Sequence, residues 1–185
     1  MKKYFIFGSV LVLAIAGIVI SQNFRQSRFD LTGFEEVPPL STPGDGTFTA
    51  RIRGNNSSIS YRLSFGDTET DVTQSHIHFG LASTNGPIVV FLCSNLGNGP
   101  AGTQPCPAGG GTITGTITAP DVLGGAAGQG LAAGEFDELL NAMRAGATYV
   151  NVHTTGRPGG EIRSQVDLDG RHHGHDDDVT NGSEK

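Results

Sequence analysis

The sequence predicts an all-β protein, an antiparallel, Greek-key-like β-sandwich of about 7–8 strands with one short amphipathic helix. Three observations predict it. Glycine (28) and proline (9) make up a fifth of the 185 residues and tryptophan is absent, a composition that disfavours long helices and suits short strands joined by turns. Apolar residues alternate with polar ones at a period of two in several stretches, as in half-buried strands. One stretch alone has helical spacing. A hydrophobic fraction of 36% with ten Phe is enough to fill one core, and the length allows one domain with flanking segments.

Taken in order, residues 1–21 carry two lysines and then an uncharged, largely apolar run over 4–20. That is the charge order of a signal peptide, and its length also suits an N-terminal membrane anchor. Residues 22–29 read as a linker, and the first strand is expected near Asp30 and through Val37, where Pro38-Pro39 stops it. Phe48, Ala50 and Ile52, then a turn at Gly54-Asn55-Asn56-Ser57, then Ile59, Tyr61, Leu63 and Phe65 form a hairpin with one buried face. Further strands are expected over 72–79, over the continuous apolar run 88–92 and over the β-branched 112–118. Phe136, Leu139, Leu140 and Met143 are spaced i, i+3, i+4, i+7, with Glu135, Asp137 and Glu138 at the start and Arg144 before Gly146. This predicts a helix of about eleven residues whose charges suit its dipole. A closing hairpin, 148–154 and 160–168, completes a domain over 30–168. Residues 169–185 form a His/Asp-rich tail too polar to join a core, expected to be disordered.

The formal charge is −6, and setting aside the two leader lysines takes it to −8. No basic cluster stands outside the leader, which excludes a nucleic-acid partner. The two cysteines, Cys93 and Cys106, flank a Ser/Asn/Gly/Pro-rich loop. An exported chain would pair them in an oxidising compartment, the alternative being two buried free thiols. The expected location is therefore extracytoplasmic: periplasmic, secreted, or anchored to the outer side of the plasma membrane. Asp67, Glu69 and Asp71 lack the Gly and terminal Glu of a calcium loop and read as a solvated turn.

The most specific local pattern is Ser75-His76-Ile77-His78-Phe79-Gly80. Residues two apart on a strand share a face, so His76 and His78 project together while Ile77 and Phe79 face the other layer. On Tyr149-Val150-Asn151-Val152-His153 the valines form one register and Tyr149, Asn151 and His153 the other. His76, His78 and His153 are thus a candidate metal site for copper or zinc, because three imidazoles with an open fourth position suit both. If the last turn pairs Thr154 with Gly160, Glu161 sits across from His153 as a fourth ligand or as the acceptor that orients its ring. The competing arrangement is a hydrogen-bond network in which His76, His153 and Glu161 buttress the hairpins. His172, His173 and His175, beside Asp176, Asp177 and Asp178, would capture Cu(II), Ni(II) or Zn(II) loosely. No catalytic residue is assigned, since there is no Gly-x-Ser-x-Gly, phosphate loop or dinucleotide fingerprint.

Four ordered motifs together resemble a chordin-type (CHRD) domain of the bacterial single-domain kind over residues 30–168. They are Gly33-Phe34-Glu35-Glu36-Val37-Pro38-Pro39, Val72-Thr73-Gln74-Ser75-His76-Ile77-His78-Phe79-Gly80, Asn85-Gly86-Pro87-Ile88-Val89-Val90-Phe91-Leu92-Cys93, and Tyr149-Val150-Asn151-Val152-His153-Thr154 with Pro158-Gly159-Gly160-Glu161-Ile162-Arg163. The resemblance implies an extracytoplasmic β-sandwich, in animals part of a secreted binder of growth factors. The chain is also similar, over fewer residues, to copper-zinc superoxide dismutases. Their copper is held partly by a His-x-His on one strand and a late His, which His76, His78 and His153 would match. The bridging histidine and the His/Asp-rich zinc loop of those enzymes have no counterpart between residues 80 and 150, and a cationic guide for an anionic substrate could come only from Arg157 or Arg163. The expected function is an exported, non-enzymatic binding module. The alternative is a copper- or zinc-binding sandwich that handles metal or performs dismutase-like chemistry.

Overall fold

The computed structural model describes residues 26–170. The leader and residues 171–185 of the tail, with its three histidines, lie outside the described residues. The chain runs through β1 (Gln26–Thr32), β2 (Asp45–Arg53), β3 (Ser58–Gly66), β4 (Val72–Phe79), β5 (Ile88–Ser94), β6 (Gly111–Ile117), α1 (Phe136–Arg144), β7 (Thr148–Thr154) and β8 (Ile162–Val166). All strand pairings are antiparallel, in the order β5-β4-β7-β8-β1-β2-β3-β6. The protein is all-β with one short helix, as its sequence predicts.

The eight strands form one sheet that folds into two four-stranded halves. The halves share a single paired position, Thr32 opposite Arg163, so the sheet turns a corner there and its halves face each other as the layers of a sandwich do. Phe48, Leu63, Ile77, Leu92, Val150 and Ile162 meet between them with almost no exposure. At the opposite corner β5 and β6 come together without a ladder. The seam is closed by Tyr61, whose hydroxyl donates to Leu92 O (3.2 Å), and by Gln104, whose Nε2 donates to Tyr61 Oη, Leu92 O and Thr114 O. Gly115 leaves room for this, because a Cβ there would lie 2.6 Å from the Tyr61 ring. Cys93 and Cys106 are bonded and tie down the loop that carries Gln104.

Helix α1 spans nine residues and buries Phe136, Leu139, Leu140, Ala142 and Met143 on one side. It ends at Gly146, in a left-handed conformation (φ 65°), with the Ala147 N–H donating to Ala142 O at 2.9 Å. That six-to-one bond satisfies a carbonyl the helix itself cannot.

The first strand differs from expectation at both ends. It begins at Gln26, with Phe29 and Leu31 buried in period two, so half of the segment read as linker belongs to the sheet. It stops at Thr32, and Gly33–Glu35 forms a 3-10 turn. The chain doubles back there: Leu40 and Glu36 both donate backbone N–H groups to Gly33 O, and a Cβ at Gly33 would lie 2.6 Å from Leu40 O. The turn throws Phe34 outward and carries Glu36 inward.

Candidate metal centre

β4 and β7 are neighbours, with Gln74 opposite His153, His76 opposite Asn151 and His78 opposite Tyr149. By strand parity these side chains share the face away from Ile77, Val150 and Val152. That face is not open to water: every residue of β7 is buried. It is roofed by the turn after β1 and by the loop between β4 and β5. Asn151 Nδ2 donates to Glu36 Oε1 (2.6 Å), Asn85 Nδ2 to Val37 O, Gly86 N–H to Tyr149 Oη (3.0 Å), and the Arg163 guanidinium to Thr84 O and Leu81 O. A second, polar interior therefore lies behind the apolar one.

The structure brings His76, His78 and His153 together there, their candidate ligand atoms all within 4.8 Å of one another. His76 Nδ1 and His153 Nε2 are 3.1 Å apart. A tetrahedral ion with bonds near 2.0–2.1 Å holds its nitrogens about 3.3 Å apart, so an ion held by this pair would take the place of the proton between them.

Hydrogen bonding settles which nitrogens are bare. His78 Nδ1 lies 2.9 Å from Gly86 O and His153 Nδ1 lies 3.0 Å from Pro158 O. A carbonyl only accepts, so both Nδ1 atoms carry the proton and both Nε2 atoms of the neutral rings present lone pairs. His153 Nε2 then accepts from His76 Nδ1–H, which leaves His76 Nε2 bare as well. His76 Nε2 and His78 Nε2 are buried with no hydrogen-bond partner. Burial holds all three rings neutral: the His76 pKa falls to about 2, with help from His153 and His78, that of His78 falls to about 4 against the raising effect of Gly86, and that of His153 is lowered too.

Around the cluster the rings are locked by packing. The edge of His76 meets Phe91 (centroids 4.4 Å apart), and His78 stacks flat on Tyr149 (4.7 Å, 3° between planes). The Arg163 guanidinium lies 3.4 Å from the Tyr149 ring centre. Strand parity exposed Tyr149 as a neighbour of His153, whereas the parts played by Phe91 and Arg163 became visible only with the order and register of the strands.

Glu161 does not join the cluster. Its backbone N–H donates to Val152 O (2.8 Å), although Val152 is paired with Ile162. Two successive residues thus share one partner, as in a bulge, and the side chain leaves the histidine face. Glu161 Oε1 accepts from Thr42 Oγ1 and the Glu69 N–H, and Oε2 accepts from Thr154 Oγ1. The acceptor that orients His153 is the Pro158 carbonyl instead. Neither arginine stands as a cationic guide: Arg157 pairs with Glu69, and Arg163 is buried.

Fold and cluster together define an all-β, disulfide-bonded domain with a polar second interior built around three imidazoles. The family model described as the CHRD domain matches residues 27–166, and the chain belongs to that family. Searches among curated proteins and among solved structures each gave no match. The Cys93–Cys106 bond fits an oxidising compartment. Among the described residues no helix is long and apolar enough to cross a membrane.

Proposed function

We propose that this CHRD domain is an exported binding module whose ligand is a transition-metal ion, copper or zinc, held by His76, His78 and His153. One observation carries the reading: two bare imidazole nitrogens, on His76 and His78, are buried without a donor beside the nitrogen of His153. A buried acceptor left unpaired costs about 1–3 kcal/mol, and a cation among the three rings would pair the bare nitrogen of His78 and replace the hydrogen bond between His76 and His153. The backbone carbonyls of Gly86 and Pro158 already point the rings, which is how ligating histidines are usually held. Export is supported by the apolar leader and by the disulfide. A role in binding rather than turnover is supported by the roof over the cluster.

The test is metal content by mass spectrometry on the purified, dialysed full chain carrying His172→Ala, His173→Ala and His175→Ala, so that the tail adds nothing. We expect about one copper or zinc per chain, falling to background when His76→Ala or His78→Gln is added, and a melting temperature that rises on metal loading. Circular dichroism confirms that each variant is folded. A folded protein that takes up no metal, with or without the extra substitution, would sink the reading.

A further inference from the structure

The charges around the cluster bear on which ion it prefers. All three donors are neutral imidazoles, and the groups behind two of them, Gly86 O and Pro158 O, are neutral carbonyls where many metal sites place carboxylates. Glu161, the carboxylate nearest in register, is spent on Thr42, Glu69 and Thr154. Glu36 is held by Asn151. A buried positive charge acts on the rings: Arg163, 1% exposed, lies over Tyr149, which stacks on His78. Desolvation cost grows with the square of the charge, so a divalent ion entering this pocket costs about four times what a monovalent one does, with no carboxylate among its donors to offset it.

Resting on the three-histidine reading above, we propose that the site prefers a monovalent ion, Cu(I), over Zn(II) and Cu(II). A filled d shell imposes no square or octahedral geometry, and three imidazoles complete a trigonal Cu(I). Zn(II) needs a fourth donor, which at three imidazoles is a water that must enter this buried, roofed pocket.

The experiment titrates the full chain carrying His172→Ala, His173→Ala and His175→Ala, without oxygen and with its disulfide intact, against Cu(I) presented as its bicinchoninate complex. Zn(II) and Co(II) are titrated in parallel with a chromophoric chelator. One Cu(I) is expected to be withdrawn per chain, bound at least about 100-fold more tightly than Zn(II), and His78→Gln is expected to weaken it at least about 10-fold. Gln74→Glu serves as a second arm. Gln74 is partly exposed, lies opposite His153 and bonds Asn98, so the change adds a negative charge beside the cluster at little cost to folding. It is expected to shift the preference toward Zn(II) by about 10-fold. Zn(II) or Co(II) bound as tightly as Cu(I), or a Gln74→Glu variant with an unchanged ratio, overturns the inference and leaves the metal-binding function standing. Uptake of no metal at all overturns both.

Discussion

Glu161 is fully buried and accepts three hydrogen bonds of 2.7 Å, two at Oε1 from Thr42 Oγ1 and the Glu69 N–H and one at Oε2 from Thr154 Oγ1. It holds the β7–β8 turn to the loops before β2 and β4. In Glu161→Gln one oxygen becomes an NH2 that can no longer accept from Thr154, and the two remaining bonds lose their charge. Bonds to a charged group contribute about 1.5–3 kcal/mol each, so urea unfolding is expected to show a loss of about 2–4 kcal/mol. Metal content should be unchanged, because no histidine touches the carboxylate. Loss of metal from a variant of undiminished stability would return Glu161 to the ligand set. The three clustered histidines were legible in the sequence, since the parity of His76 and His78, and of His153, within their strands is local. Glu161 was not, because one shared backbone partner at Val152 moves its side chain off the face that strict alternation assigns.

The same contrast holds for whole elements. The β2–β3 hairpin, α1 and the β7 register follow from periodicity that tertiary packing does not override. The start of β1 was hidden because Gln26, Ser27 and Arg28 are polar, and its pairing with β2 is long range, Gln26 opposite Arg51; Phe29-x-Leu31, read backwards, was the available signal. The disulfide-bonded loop is the element whose sequence says most about its own dependence. It contributes little to the apolar core, yet through Asn95 it bonds Val72 O and Cys106 O, and through Gln104 it closes the seam between β5 and β6. Replacing Cys93 and Cys106 together by alanine releases a loop with a sequence separation of 13 and should cost about 3 kcal/mol in the chain-entropy account. Denaturant unfolding measures that loss. Amide exchange should speed up along β6 before it does along β7, since the seam opens first. Equal protection in both strands would show that the loop does not close the seam.

At the scale of the molecule, two buried polar groups pull stability in opposite directions as pH falls. His76, His78 and His153 have folded-state pKa values below the ordinary 6.5, those of His76 and His78 at about 2 and about 4. Between pH 6.5 and 4 the unfolded chain binds protons that native, metal-free His76 and His78 refuse, so each of these two lowers stability by up to about 1.4 kcal/mol per pH unit, and His153 acts in the same direction below 6.5. Glu36 works the other way. Burial, opposed by Arg163 and by the bonds from Asn151 and Val37, raises its pKa from 4.5 to about 7. The native state therefore takes up that proton first, and stability rises as pH drops from about 7 to 4.5. Three histidines outweigh one carboxyl, so the metal-free protein should be most stable between about pH 6.5 and 7 and lose stability steadily toward pH 4. Glu36→Gln removes the compensating group while keeping an acceptor for Asn151, and should make the acid limb steeper. Urea midpoints at half-unit pH intervals measure both curves. A wild-type curve that stays flat from pH 6.5 to 4, or a variant no steeper than wild type, would mean that the second interior is wet enough to charge in place and that its histidines are not held neutral by burial.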